Sequence, residues 1–202
     1  MKRERTFTPS EAAVVSGVPV QAVNKAIDGG PLHSARDRKS GERTLTETDL
    51  LYLATTGIFD PKLVKLTEQA RSRLRKALAS YYRIGKQPGK LVLFEGLEID
   101  VRPVVAKLRS KATLLDRARK MVAVNPHIRG GEAVIRGTRI GVYEVAAMTE
   151  GASEEEVDEI LAGYPTLKRE HLELARMYAA AHPRRGRPPK HPWHRTRAAA
   201  SA

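Results

Sequence analysis

Residues 6–30, TFTPSEAAVVSGVPVQAVNKAIDGG, decide how the chain is to be read. Thr8 stands where an N-cap residue accepts from the backbone. Pro9 fits the first helical position, and Glu11, three residues after Thr8, completes a capping box. The apolar Ala12, Ala13 and Val15 follow, and Gly17 supplies the positive φ of a tight turn. Pro19 opens a second helix, expected to run to about Asp28 and to stop at Gly29-Gly30. Ala13 lets two helices cross closely, Gly17 turns the chain, and the β-branched Val23 packs the second helix on the first. That spacing is the helix-turn-helix pattern.

Outward from this stretch, residues 32–54 (LHSARDRKSGERTLTETDLLYLA) read as strand, Ser-Gly turn, strand, and a helix capped by Thr46 with Asp49 three residues later. A hairpin after a helix-turn-helix is a wing, and its tip carries Arg36, Arg38, Lys39 and Arg43, cations placed to meet phosphates. The arrangement resembles the MerR-like winged helix-turn-helix domains over residues 1–57. The resemblance implies that residues 19–28 enter a major groove of operator double-stranded DNA, with Gln21, Asn24 and Lys25 facing outward. Glutamine and asparagine pair bidentately with adenine, and lysine reaches guanine or phosphate. Plain solvent exposure is the competing reading of Gln21 and Asn24. The segment is close to charge balance, so one copy would hold DNA weakly, and a homodimer on two half-sites is expected.

Charge is unevenly distributed along the chain. The net charge is +13, of which residues 1–57 hold +1, residues 58–121 hold +10, residues 122–182 hold −4 and residues 183–202 hold +6. Polyanion binding on one part and protein contact on another are the consequences such a pattern implies. Within 58–121, Asp60-Pro61 is a cap and first-turn pair. Leu63, Leu66, Ala70, Leu74, Ala77 and Tyr81 then recur at helical steps, predicting a helix of about 20 residues. Residues 89–103, GKLVLFEGLEIDVRP, read as a short hairpin. A further helix from Pro103 to Met121 puts Val105, Leu108, Ala112, Leu115 and Ala118 on one face. The region is expected to be a spacer or dimerisation element, its helices packed on each other or on a symmetry mate. Its basic face (Lys62, Lys65, Arg71, Arg73, Arg75, Lys76) either extends a DNA footprint or is solvated.

The third segment, residues 122–182, contains NPHIRGGEAVIRGTRIGV (125–142), EGASEEEVDEILAGYPTL (150–167) and HLELARMYAA (171–180). Gly130-Gly131 predicts a tight turn between a strand ending near Ile128 and a strand over Ala133–Ile135. A second turn over Arg136–Arg139 leads to a helix over Val142–Thr149. A helix capped by Ser153 with Glu156 follows, ending at Gly163, and a last helix runs from Thr166 to Ala181. These stretches resemble a small bacterial and archaeal family long known only as a domain of unknown function. They are similar in motif to antitoxins of the VapB type, encoded beside toxins with a PIN-like nuclease fold. The resemblance, and not composition or spacing, implies a type II antitoxin that neutralises a PIN-like toxin nuclease and represses its own operon. Gly130, Gly131, Arg136, Gly137, Thr138 and Arg139 match the family motif. They are expected to be structural, the glycines for special φ/ψ and the arginines for local carbonyls or carboxylates. The alternative is a stand-alone MerR-like transcriptional regulator without a toxin partner.

The tail, HPRRGRPPKHPWHRTR from His182, carries six Lys and Arg residues and no acid. Arg184, Arg185, Arg187 and Trp193 form a candidate toxin-binding set: arginines pair bidentately with the carboxylates of a nuclease centre, and a lone tryptophan anchors in an apolar pocket. Arg185-Gly186-Arg187-Pro188 is also the core of a minor-groove DNA hook. Both readings stay open. The expected architecture is mainly α with short β-hairpins: winged helix-turn-helix, helical linker, small tri-helical domain. No enzyme is expected, since no nucleophile–base pair, phosphate loop or dinucleotide fingerprint occurs. The acidic run Glu154–Glu159 suits a helix start better than a metal, the histidines are scattered, and no cofactor or metal is expected. At 5 % aromatic residues the chain is poor in base-stacking groups. Without a signal peptide or a long apolar run it is expected in the cytoplasm and not in a membrane.

Overall fold

The computed structural model describes residues 5–30, 32, 34–36, 41–59, 65–84, 89–94 and 97–184. In chain order the elements are β1 (Thr6–Phe7), α1 (Pro9–Ser16), α2 (Val20–Asp28), β2 (Ala35–Arg36), β3 (Arg43–Thr46) and α3 (Glu47–Thr56). They continue with α4 (Glu68–Ile84), β4 (Lys90–Phe94), β5 (Leu97–Asp100), α5 (Arg102–Met121), β6 (Val122–Val124) and β7 (Ala133–Ile135). The chain closes with α6 (Val142–Met148), α7 (Glu154–Gly163) and α8 (Arg169–Ala181). The protein is therefore mainly α, with an antiparallel three-stranded sheet ordered β1-β3-β2 and two antiparallel hairpins, β4-β5 and β6-β7.

Local chemistry sets the helix starts. Thr8 N–H donates to Glu11 Oε2 at 2.8 Å while Glu11 N–H donates to Thr8 Oγ1 at 3.4 Å. The same reciprocal box forms at Thr46 with Asp49 and at Ser153 with Glu156. Caps of this kind contribute about 1 kcal/mol each. Gly17 ends α1 in the left-handed region at φ 75°, as the sequence predicts.

Three boundaries differ from expectation. The helix expected from Asp60-Pro61 begins instead at Glu68, with Ala70 N–H on Thr67 Oγ1 at 3.2 Å; residues 60–64 lie outside the described set. Threonine offers a side-chain acceptor to the first turn, so the chain starts its helix there despite apolar spacing upstream. Strand β6 stops at Val124, not Ile128. Asn125 Oδ1 takes the His127 N–H at 2.9 Å, and this turn, with Pro126 unable to donate, ends the ladder early. Helix α8 starts at Arg169 and not Thr166, because a turn closed by Leu167 N–H on Tyr164 O at 2.8 Å occupies the preceding residues.

Two apolar clusters organise the molecule. The larger gathers Phe7, Val15, Val23, Leu45, Leu50, Leu74, Leu115 and Met177, so it draws on α1, α2, α3, α4, α5 and α8 together. The smaller gathers Val122, Ile135, Val142, Val145, Leu172 and Ala175. Helix α8 is the shared wall: Leu174, Met177 and Ala181 face the larger cluster, Leu172 and Ala175 the smaller, and Tyr178 touches both. The five residues predicted on the apolar face of α5 are all buried. They lie within this chain, where α5 packs on α1, α3 and α8.

Candidate nucleic-acid interface

Helix α2 has one buried residue, Val23, while Gln21, Asn24 and Lys25 are exposed. Positions 21, 24, 25 and 28 follow the i, i+3, i+4, i+7 rule, so the three predicted contact residues share an edge with Asp28. Among the described residues no side chain caps the start of α2, and uncapped first-turn N–H groups suit phosphate oxygens.

The hairpin beside α2 carries the other predicted cations. Arg36 and Arg43 stand directly opposite in the β2-β3 ladder, an arrangement that repels unless neutralised. Arg43 Nη1 accordingly meets Asp28 Oδ1 at 2.7 Å. Arg43 thus sits in the ladder pair next to the hairpin's turn and ties it to the end of α2. Arg36 is exposed, and Arg38 and Lys39 lie outside the described residues.

Much of the basic surplus of 58–121 is engaged internally. Lys111 Nζ donates to Val14 O at 3.1 Å and lies 3.6 Å from where a Cβ on Gly17 would stand, bracing the α1–α2 turn from behind. Its burial, with Lys107 nearby, lowers its pKa. Arg75 approaches Asp49 at 3.7 Å, and Arg117 pairs with Glu170. On the exposed Asp100, hydrogen bonds from Arg102 hold the carboxyl at about 2.

Arg119 is held by the buried Glu11, which sequence reading used only as a capping residue. Glu11 Oε1 receives Arg119 Nη2 at 2.6 Å and lies 3.2 Å from His182 Nε2, while its other oxygen caps α1. The imidazole nitrogen is off the line of a hydrogen bond and has no other partner among the described residues. Burial lowers the His182 pKa, against the opposing pull of Glu11. One carboxylate therefore joins α1, α5 and the end of α8.

The glycine-rich motif is a structural clasp. Gly130, Gly131 and Gly137 have φ of 66°, 85° and 80°, and Arg129, at 50°, shares the left-handed region. Arg136 donates to Lys120 O at 2.9 Å and Val122 O at 3.0 Å, closing the end of α5. Thr138 Oγ1 donates to Ile135 O at 2.8 Å and accepts from Ile140 N–H at 3.1 Å. Arg139 is exposed, and its side chain has no partner among the described residues. The arginine that carries most contacts, Arg129, was not singled out by sequence; it pairs with Glu132 at 2.9 Å and with Glu144. Glu132, three residues on, was the available signal; Glu144, fifteen residues away, gave none.

Of the predicted toxin-binding residues, Arg184 alone is described. It pairs with Glu132 and lies over the Tyr143 ring, 4.3 Å from its centroid. Arg185, Arg187 and Trp193 lie outside the described residues. Among the described residues no group of three or more His, Asp or Glu could hold a metal ion, and no helix is long and apolar enough to cross a membrane.

These features define a mainly α protein whose residues 122–179 match a family described as a protein of unknown function (DUF433). The chain is also 33 % identical over 186 residues to an uncharacterized protein, y4eO, of Sinorhizobium fredii, an alignment covering 88 % of this chain and 82 % of the rhizobial one. It belongs to the same family as that protein. No solved structure matches it.

Proposed function

We propose that the chain is a DNA-binding antitoxin that represses its own operon, with the MerR-like winged helix-turn-helix of its first 57 residues as the reading head. The observation that carries the DNA half is the free edge of α2: Gln21, Asn24 and Lys25 project together from a helix whose other side is anchored by Val23. Their side chains have the donors and acceptors that base edges require. The antitoxin half rests on the VapB-like resemblance of residues 122–182, and its partner would be a PIN-like nuclease. As a dimer the head would meet two half-sites.

The direct experiment measures binding to a duplex from immediately upstream of the chain's own coding sequence. Gln21→Ala and Asn24→Ala should each weaken binding to that duplex by about 1–3 kcal/mol and blunt sequence preference. Unchanged affinity and preference in both would remove the assignment. Co-expression with the product of the neighbouring gene tests the second half. A neighbour that is not a nuclease, or does not co-purify, removes the antitoxin reading.

One observation favours the alternative of a stand-alone regulator. Arg184, the first arginine of the tail, is already taken up by Glu132 and Tyr143, so it is not free for a toxin's carboxylates.

A further inference from the structure

The direction in which α2 presents Gln21, Asn24 and Lys25 is inherited from α1. Among the helices α2 rests mainly on α1, and its one buried residue is Val23. The connection between the two helices is short, Gly17-Val18-Pro19, with Gly17 at φ 75°. Whatever fixes α1 and this turn therefore fixes the exposed edge of α2.

Helix α5 holds both. At the N-terminal end of α1, Arg119 Nη2 meets Glu11 Oε1 at 2.6 Å. At the C-terminal end, the two amides that follow the helix, Gly17 and Val18, both donate to Ala13 O, at 2.8 and 3.1 Å. The carbonyl of Val14 is thereby passed over, and Lys111 Nζ donates to it at 3.1 Å. The last carbonyls of a helix lack intrahelical partners, and a cation there also meets the negative end of the helix dipole. Lys111 is partly buried, and its ammonium lies 3.6 Å from where a Cβ on Gly17 would stand. It backs the turn as well as the helix end.

We propose that Lys111 is a positioning residue for DNA recognition: from α5 it sets the angle at which α2 enters the groove, without touching DNA itself. The inference rests on the DNA-binding reading above and deepens it, by naming a residue outside the winged head of residues 1–57 that determines specificity. Bidentate contacts to base edges tolerate little displacement, whereas phosphate contacts carry no sequence information. Loss of the brace should therefore lower discrimination between sequences more than it lowers affinity for DNA in general.

The test compares the full chain and its variants on the duplex from upstream of its own coding sequence and on an unrelated duplex of equal length, each across a salt series. Lys111→Met should lose about tenfold in preference for the first duplex over the second, with the log–log salt slope unchanged. Lys107→Met, one turn earlier on α5 and exposed, removes the same charge and should leave the preference as it is. Lys111→Arg keeps a cationic donor for Val14 O and should retain most of the preference. Added to Gln21→Ala/Asn24→Ala, Lys111→Met should cause no further loss of preference, because it acts through those side chains. Melting sets a temperature at which every variant is folded, and Lys111→Gln carries the same expectation if Lys111→Met does not fold. An undiminished preference in the variant overturns the proposal, and so does an equal loss in Lys107→Met. A slope flattened by roughly 0.9, with a loss that adds to that of the α2 variant, overturns it too, since Lys111 would then be a phosphate contact. If the unmodified chain itself shows no salt-dependent binding or no preference, the DNA-binding reading falls, and the role of Lys111 with it.

Discussion

Glu11 illustrates how much one buried carboxylate can organise. It is 2 % exposed and serves a capping box, a guanidinium and an imidazole from three separate segments. Converting it to glutamine keeps the shape but removes the charge from a hydrogen bond to Arg119. Glu11→Gln should cost about 2 kcal/mol of stability, read by denaturant or thermal melting; no change would mean that Arg119 is satisfied by Asp116 and solvent. His182 gives the same node a pH dependence. Its native pKa lies below its ordinary value, because burial outweighs Glu11. The unfolded chain therefore binds the proton more readily. The stabilising contribution of neutral His182 is present above the ordinary histidine range, near 6.5, and is lost as the pH falls below it. A His182→Asn variant should show a flatter stability profile between neutral and mildly acidic pH, and an identical profile would remove His182 as the cause.

Among the elements, the clasp over residues 125–141 joins the end of α5 to the small cluster. Arg136 closes two carbonyls there at 2.9 and 3.0 Å. Arg136→Met should cost about 2 kcal/mol while leaving the exposed edge of α2 intact, measured by melting and by binding in parallel. Gly137 has φ 80° with open space where a Cβ would stand. The cost of Gly137→Ala is therefore one of backbone conformation, about 1 kcal/mol, and not a clash. Sequence reads this level well where chemistry is local. Capping boxes at Thr8, Thr46 and Ser153 and the buried stripe of α5 are all where side-chain spacing puts them. It reads poorly where a competing turn intervenes, as at Asn125 and Leu167, because hydropathy does not record side-chain-to-backbone bonds. It also assigns basic residues to solvent or DNA by default. Lys111, Arg117 and Arg119 are instead structural, their acceptors 97, 53 and 108 residues away in sequence.

At the scale of the whole molecule, the shared wall α8 couples what the sequence divides. Leu174, Met177 and Ala181 complete the larger cluster that begins at Phe7, and Leu172 and Ala175 complete the smaller one. A chain cut after α5 would open the larger cluster, so residues 1–121 alone should unfold at lower temperature and with reduced cooperativity compared with the full chain. Independent, equal melting of that fragment would contradict the shared core. The same wall carries the tail root to Glu11 of the head, a connection no periodicity reveals because it depends on which face of α8 meets which cluster.

The central claim is that α2 reads DNA. Its most direct test is the affinity of the full chain for the duplex upstream of its own coding sequence across a salt series, beside the Gln21→Ala/Asn24→Ala variant. The account predicts a steep fall with salt, with a slope of roughly −0.9 per phosphate contact, for both proteins. It also predicts that the variant alone loses its preference for that duplex over an unrelated one of equal length. A flat salt response, or an undiminished preference in the variant, would contradict it.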